Sequence, residues 1–403
     1  MLGSFILGWW ALAFQSTIPS EKITSANSQT LSLNNTPLLQ ALSPLKRNDL
    51  QSALTGNFCI MQKLIDTWNN DAKRLYELGI ENIQFLSAEK LTQARILKHL
   101  IANSSPSTLH KLNCKMKIEM LQDDCGNQFH IKDDFQKFLP QTFVAASFLL
   151  SIAQTNEILA LPKGLRQFTQ LFPKEILNKI PTDIDQINSE ILYLNKPDLA
   201  FISPYSHPPT LEALNSQCIP LYTIKNINSA QEIGEALLKV GHATNHILQA
   251  QLLAIFIEAS LLSIDNRLEA LKSEDDPLKI LYLTYYHHYA LPTTKSLAGQ
   301  LMCRALQHCK QFKGMVPENS HQWQIPFSHE QIMHANPDVL IVAICSKRAL
   351  PQIKETLQHT KPLQSNQVYC LDEAIQNSPT QHIVLAYFDL FETLIHSNAR
   401  VNL

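Results

Sequence analysis

A unit of constant spacing occurs twice in this chain and constrains its fold more than any other feature. Residues 187–203 read INSEILYLNKPDLAFIS, and residues 327–343 read FSHEQIMHANPDVLIVA. Each copy has Glu, then Pro-Asp seven residues later, then an apolar run, at Glu190, Pro197 and Asp198 and at Glu330, Pro337 and Asp338. The spacing predicts a short helix that has a carboxylate near its start and that ends at a proline. It also predicts that the aspartate accepts hydrogen bonds from backbone amides of the turn that precedes the strand. We interpret these residues as the scaffold of two corresponding units.

Short apolar runs alternate with helical patterns in both halves of the chain. The runs are residues 148–152, 199–203, 221–224, 280–284, 339–344 and 368–371. Strands interleaved with helices predict the α/β class, with two lobes that each have a central, mainly parallel sheet. Between the two sets, residues 245–272 contain no Gly or Pro. They predict one helix of roughly 40 Å that joins the lobes without a flexible hinge.

These patterns divide the chain into five segments. Residues 1–16 are typical of an export signal, and residues 17–114 predict a linker followed by a helical extension. Residues 115–240 form the predicted N-terminal lobe, which opens with a hairpin whose turn is DDCGN. Residues 241–276 hold the connecting backbone helix, and residues 277–403 form the C-terminal lobe. The N-terminal segment predicts export, with attachment to a membrane surface as the alternative.

Composition excludes several function classes. Of 403 residues, 45% are hydrophobic, and 33 basic against 35 acidic residues leave a net charge of -2, without the positive charge that nucleic-acid binding requires. None of the ten glycines forms GxGxxG or GxxxxGK[ST], and neither GxSxG nor HExxH occurs. We therefore expect no enzyme and no cofactor. The eight cysteines form no CxxC. Two alternatives for their state remain: disulfides, as in an exported protein, or buried free thiols.

Two such lobes joined by a long helix resemble the helical-backbone (class III) periplasmic substrate-binding proteins of ABC importers. Three further stretches are similar to that family: MLQDDCGNQFHI at 120–131, NEIL at 156–159 and NQVYCLD at 366–372. The resemblance implies a periplasmic protein that captures an iron–siderophore chelate, haem or cobalamin and delivers it to an ABC permease. It also implies that a surface carboxylate of each lobe contacts the permease, and the best matches are Glu212 and Glu355. Two alternatives stay open: a zinc or manganese binding protein of similar architecture, and an interaction protein that keeps the fold without a ligand.

Ligands of open α/β sheets bind beyond the carboxyl ends of the strands. This rule selects residues 153–156, 204–209, 285–294 and 346–350. Aromatic and imidazole side chains concentrate in two of these stretches, and Tyr and His are ligands of haem iron. The candidate ligand-binding residues are Tyr205, His207, Tyr285, Tyr286, His287, His288 and Tyr289, with Lys347 and Arg348 as partners for a ligand carboxylate. We expect the Tyr205 and Tyr286 loops to face each other across the cleft between the lobes.

Overall fold

The computed structural model describes residues 37–116, 118–132, 135–184, 196–225, 227–271, 277–318 and 320–401. The predicted export signal (residues 1–16), the linker up to residue 36 and Glu190 lie outside these ranges.

Sixteen α-helices are present in the described part of the chain. They are α1 Pro37–Gln40, α2 Arg47–Leu54, α3 Phe58–Glu77, α4 Ala88–Asn103, α5 Pro106–Met116, α6 Phe143–Ile152, α7 Lys174–Leu177, α8 Pro208–Ser216, α9 Ala230–Ala243, α10 Ile247–Glu269, α11 Leu297–His308, α12 His329–Ala335, α13 Leu350–Leu357, α14 Lys361–Gln364, α15 Glu373–Gln376 and α16 Ile383–Val401.

The strands form one main parallel sheet in the first lobe and a larger mixed sheet in the second. They are β1 Met120–Gln122, β2 Gln128–His130, β3 Phe138–Pro140, β4 Leu161–Pro162, β5 Asp183–Ile184, β6 Leu199–Ile202, β7 Leu221–Thr223, β8 Leu278–Tyr285, β9 Tyr289–Pro292, β10 Phe312–Gly314, β11 Gln324–Pro326, β12 Val339–Ile344 and β13 Val368–Asp372. The first sheet has the order β3-β6-β7, and the second has β11-β9-β8-β12-β13 with β10 beside β8. The parallel order β8-β12-β13 repeats β3-β6-β7, which confirms the predicted fold class.

The two Pro-Asp units perform the same structural task. The Oδ2 atom of Asp198 accepts hydrogen bonds from the amides of Gln136 and Lys137, just before β3. Asp338 Oδ2 likewise accepts from the amide of Lys279 in β8, at 2.8 Å. The scaffold role is thus confirmed, although the amides belong to the neighbouring strand rather than to the aspartate's own turn.

Replacing Asp338 or Asp198 by alanine is expected to lower the free energy of unfolding by about 1.5–3 kcal/mol, the usual contribution of hydrogen bonds to a charged group. Urea denaturation followed by circular dichroism measures the change. The exposed Glu330, which begins α12 in the second unit, provides the matched control, and Glu330→Ala should have the smaller effect. Equal stabilities for all three variants and the wild type would contradict the scaffold role.

The long backbone helix is present as α10, Ile247–Glu269. By length and composition it is the one helix among the described residues able to cross a membrane, but 78% of its apolar window is buried inside the protein. It packs against α9 and α6 of the first lobe and against α11 and α16 of the second. This burial identifies α10 as a core helix.

The helical extension covers another side of α10. Helices α3 and α4 pack along it, and the Trp68 ring lies 5.5 Å from that of Phe256. A buried ion pair joins Asp71 Oδ2 to Arg267 Nη2 at 2.9 Å. The extension is therefore part of the same hydrophobic core as both lobes.

Two expectations about local structure need correction or completion. Residues 148–152, predicted to be a strand, belong to helix α6, and the edge strand of the first lobe is β3. The stretch 153–156 therefore does not follow a strand. All eight cysteines are free thiols in this structure, which contradicts the disulfide alternative. The alternative of buried thiols holds for Cys309, whereas five of the eight cysteines are exposed.

Candidate functional site

The carboxyl ends of the parallel strands align in each lobe. In the second lobe, Tyr285 of β8, Ile344 of β12 and Asp372 of β13 stand in one register row. In the first lobe, Ile202 of β6 pairs with Thr223 of β7. The residues that follow these rows form the carboxyl edge of each lobe, where ligands of such sheets bind.

A polar cluster occupies the carboxyl edge of the second lobe. The Glu373 carboxylate, 5% exposed, accepts a hydrogen bond from the Tyr286 hydroxyl and one of 2.8 Å from Asn377 Nδ2. Cys345 Sγ lies 3.6 Å from Glu373 Oε2. Burial and the Glu373 charge raise the pKa of Tyr286. Cys345 has exposed surface, but partial desolvation of its thiol and the Glu373 charge raise the pKa of that thiol to about 12. Both groups are therefore protonated at neutral pH, and Tyr286 already has a partner within the lobe.

Tyr285 and Tyr289 are buried within the second lobe, whereas we expected them to be accessible to a ligand. They stand opposite each other where β8 and β9 join in a hairpin, and their rings are 5.0 Å apart. Each is 6% exposed and packs in an apolar cluster with Leu281 and Leu283. The physical reason is strand alternation, because residues 281, 283 and 285 share one face of the sheet.

The two adjacent histidines lie on the hairpin turn between β8 and β9. His287 has a φ of 64°, and the Tyr286 amide donates to the His288 carbonyl at 3.0 Å. Both histidines are exposed. The segment is therefore a tight turn in which both imidazoles are accessible.

The first lobe places Tyr205 and His207 directly after β6, as predicted from the sequence. Tyr205 is 58% exposed. His207 is half-buried at the start of α8, and its Nδ1 atom has no hydrogen-bond partner in the described structure. The Tyr205 phenol is therefore accessible to a ligand, whereas the unpaired Nδ1 atom of His207 is buried.

The charged candidates occupy corresponding places in the two lobes. Lys347 and Arg348 are exposed in a 3-10 turn that follows β12. Glu212 is exposed on α8, the helix after β6, and Glu355 is exposed on α13, the helix after β12. Strands β6 and β12 are the central strands of the two parallel sets β3-β6-β7 and β8-β12-β13. Each carboxylate thus lies on the first α-helix after the central strand of its lobe.

Sequence reasoning missed contacts between the lobes, two of which lie near the candidate site. Gln170 Nε2 donates to Asp372 Oδ2 at 3.2 Å, and the ring of Phe172 meets that of His382 at 4.7 Å. Asp372 follows the apolar run 368–371, so the carboxyl-edge rule, applied to that strand too, would have selected it. Gln170 and His382 carry no such signal.

Metal ligands do not gather at these edges. The described ranges contain no group of three or more His, Cys, Asp and Glu side chains able to hold a metal ion. The exposed candidate side chains at the two edges are Tyr205, His287, His288, Lys347 and Arg348, and His207 is half-buried.

Comparison with known proteins agrees with the architecture. Residues 180–375 match the family model described as periplasmic binding protein. No curated protein is significantly similar in sequence.

Solved structures share the fold at low sequence identity. A possible iron-binding (periplasmic solute-binding) protein from Staphylococcus epidermidis ATCC 12228 is 15% identical, and the alignment covers 64% of this chain and 98% of that protein with a TM-score of 0.53. A periplasmic binding protein from Veillonella parvula DSM 2008 is 17% identical over 68% of this chain and 90% of its own, also with a TM-score of 0.53. The periplasmic heme-binding protein RhuT from Roseiflexus sp. RS-1 is 15% identical over 65% of this chain and 98% of its own, with a TM-score of 0.50.

The matched residues begin before β6 and end in α15, so they include the backbone helix and both Pro-Asp units. The fold implied by the resemblance is thereby confirmed: this chain has the class III, helical-backbone fold of periplasmic binding proteins.

Proposed function

We propose that this chain is the substrate-binding protein of an ABC importer, exported to the periplasm, and that it captures an iron chelate, haem or a cobalamin-like ligand between its lobes. The observation that carries the proposal is the repeated parallel sheet, which presents a carboxyl edge in each lobe. Each edge has accessible groups suited to such ligands: Tyr205 and His207 in the first lobe, and His288, Lys347 and Arg348 in the second.

The chemistry of these groups favours a large, planar or chelated ligand. A phenol ring and imidazoles provide contact area, and imidazole nitrogen also ligates haem iron. Lys347 and Arg348 can form charge-assisted hydrogen bonds with propionates or siderophore carboxylates. We further propose that Glu212 and Glu355 contact the permease, because each is exposed on the corresponding helix of its lobe.

A visible absorption spectrum of protein purified from its native compartment tests the ligand class, followed by titration with haemin, cobalamin and a ferric siderophore. The proposal expects one of these chelates to bind and to change the spectrum. Metal analysis of the same sample tests the zinc or manganese alternative. No binding of any chelate and no bound metal would contradict the transport role and favour an interaction protein.

The double substitution Tyr205→Ala with His207→Ala is expected to weaken binding of that chelate at least about 30-fold, as loss of about 2 kcal/mol at a central anchor does. Isothermal titration measures the change. Tyr76 and His99 are both exposed on the helical extension, so Tyr76→Ala with His99→Ala is the matched control and should bind normally. Wild-type affinity in the first variant would remove these two residues from the site.

A further inference from the structure

Helix α2 of the extension touches both lobes at the place where they meet. On the first lobe, Gln51 Nε2 donates to the Gln170 carbonyl at 3.2 Å. On the second lobe, the Arg47 guanidinium forms an ion pair with Asp389 of α16. One short helix therefore spans the junction of the two lobes.

A buried hydrogen-bond network closes the same junction. The Gln381 side chain is fully buried and donates to the Ser147 carbonyl at 2.8 Å and to Ser151 Oγ at 2.7 Å. Ser151 Oγ in turn donates to the carbonyl of Leu54, the last residue of α2. Three parts of the molecule thus meet in one network: Gln381 from the second lobe, α6 from the first, and α2 from the extension.

The backbone of the extension approaches α6 too closely for a side chain. Gly56 has a φ of 93°, and a Cβ atom there would lie 2.7 Å from the carbonyl oxygen of Ser151. This close contact requires glycine, since a larger residue would displace the turn after α2 from the first lobe.

The rest of the helical extension, which follows α2 in the chain, is bound to the backbone helix α10. Gln84 exchanges two hydrogen bonds of 2.8 Å with Asn266, and Asn113 donates to Gln249 at 3.1 Å. Consequently α2 cannot follow one lobe freely, and a rotation of the lobes about α10 has to break its contacts with one lobe or the other.

We propose that the helical extension is a clamp that holds the two lobes at a fixed angle, and that the Arg47 and Gln381 contacts are its closing elements. Separation of the lobes, and with it exchange of anything held between them, then requires α2 to detach from one lobe. The assignment depends on the described contacts alone and not on the transport role.

Single-molecule energy transfer across the lobes tests the clamp in the full-length chain. Dyes are attached through unnatural amino acids at the exposed positions Asn215 and Gln352, because the free cysteines preclude thiol labelling. Arg47→Ala with Gln381→Ala is expected to broaden the distance distribution. It should also accelerate amide exchange in peptides 147–153 and 378–386 at least about 10-fold, as local opening does.

Two further variants keep the test decisive. Lys90→Ala removes an extension contact to Glu258 of α10 that touches neither lobe, and it should leave both readouts unchanged. The second variant, Arg47→Gln with Asp389→Asn, is used if the double alanine variant fails to fold. It keeps an uncharged hydrogen-bonding pair, and we expect it to retain the wild-type distance distribution. Unchanged distances and exchange in the double alanine variant, or equal broadening with Lys90→Ala, would overturn the proposal.

Discussion

Replacing Asp71 by alanine is expected to lower the free energy of unfolding by about 3–5 kcal/mol, because the substitution leaves a buried charge without its partner. The Arg267 side chain is only 5% exposed and donates to Asp71 Oδ2 at 2.9 Å. Its remaining partners are neutral oxygens of Ser263 and Ser43. Burial already lowers the pKa of Arg267, and the Asp71 charge opposes that effect.

Urea denaturation measures this loss, and two variants define its cause. Asp66 lies on the same helix and pairs with Arg95 at the surface, at 2.7 Å, so Asp66→Ala should cost less than about 1 kcal/mol. Asp71→Ala combined with Arg267→Met removes both charges and should recover most of the stability. A cost for Asp71→Ala no larger than that for Asp66→Ala would contradict the role of the buried pair.

Acidification from pH 7 to pH 5 is expected to lower the free energy of unfolding by about 2 kcal/mol because of His382. The loss amounts to about 1.4 kcal/mol for each unit of pH below 6.5. Its ring is fully buried against Phe172 at the junction of the lobes. Burial lowers the pKa of His382 from 6.5 to about 3. Below 6.5 the unfolded chain binds a proton that the folded chain excludes, so stability is complete above pH 6.5 and is lost as the pH falls towards 3.

Chemical denaturation at pH 7, 6 and 5 checks this dependence. His382→Gln is expected to reduce the slope of stability against pH by about 1.4 kcal/mol per unit in this range. His288 is exposed on the hairpin turn, and His288→Gln is the matched control that should leave the slope unchanged. Identical slopes for the wild type and His382→Gln would contradict the assignment.

The repeat made the fold predictable, because Pro197-Asp198 and Pro337-Asp338 combine turn chemistry with a following apolar run in both lobes. The run 148–152 was assigned wrongly for a physical reason. Helix α6 is buried on every side from Ala145 to Ile152, so its sequence lacks the periodicity that distinguishes a helix from a buried strand.

The candidate site was predictable only in part. The carboxyl-edge rule placed Tyr205 and His207 after a strand, and both follow β6 in the structure. The same rule treated Tyr285 as a loop residue, although it continues the alternation of Leu281 and Leu283 in β8. The contacts of the extension could not be predicted. Gln84 and Asn266, for example, are 182 residues apart, and neither side chain signals a partner at that distance.

The burial of α10 beneath the extension has a consequence for synthesis of the chain. Asp71 and Arg267 are separated by 196 residues, which a ribosome adding about 5–20 residues per second needs roughly 10–40 s to produce. During that interval the apolar face of α3, which includes Trp68 and Leu75, is already made, whereas helix α10, which covers it, is not. The apolar face of the N-terminal helices therefore lacks the surface that buries it until the second half of the protein has been made.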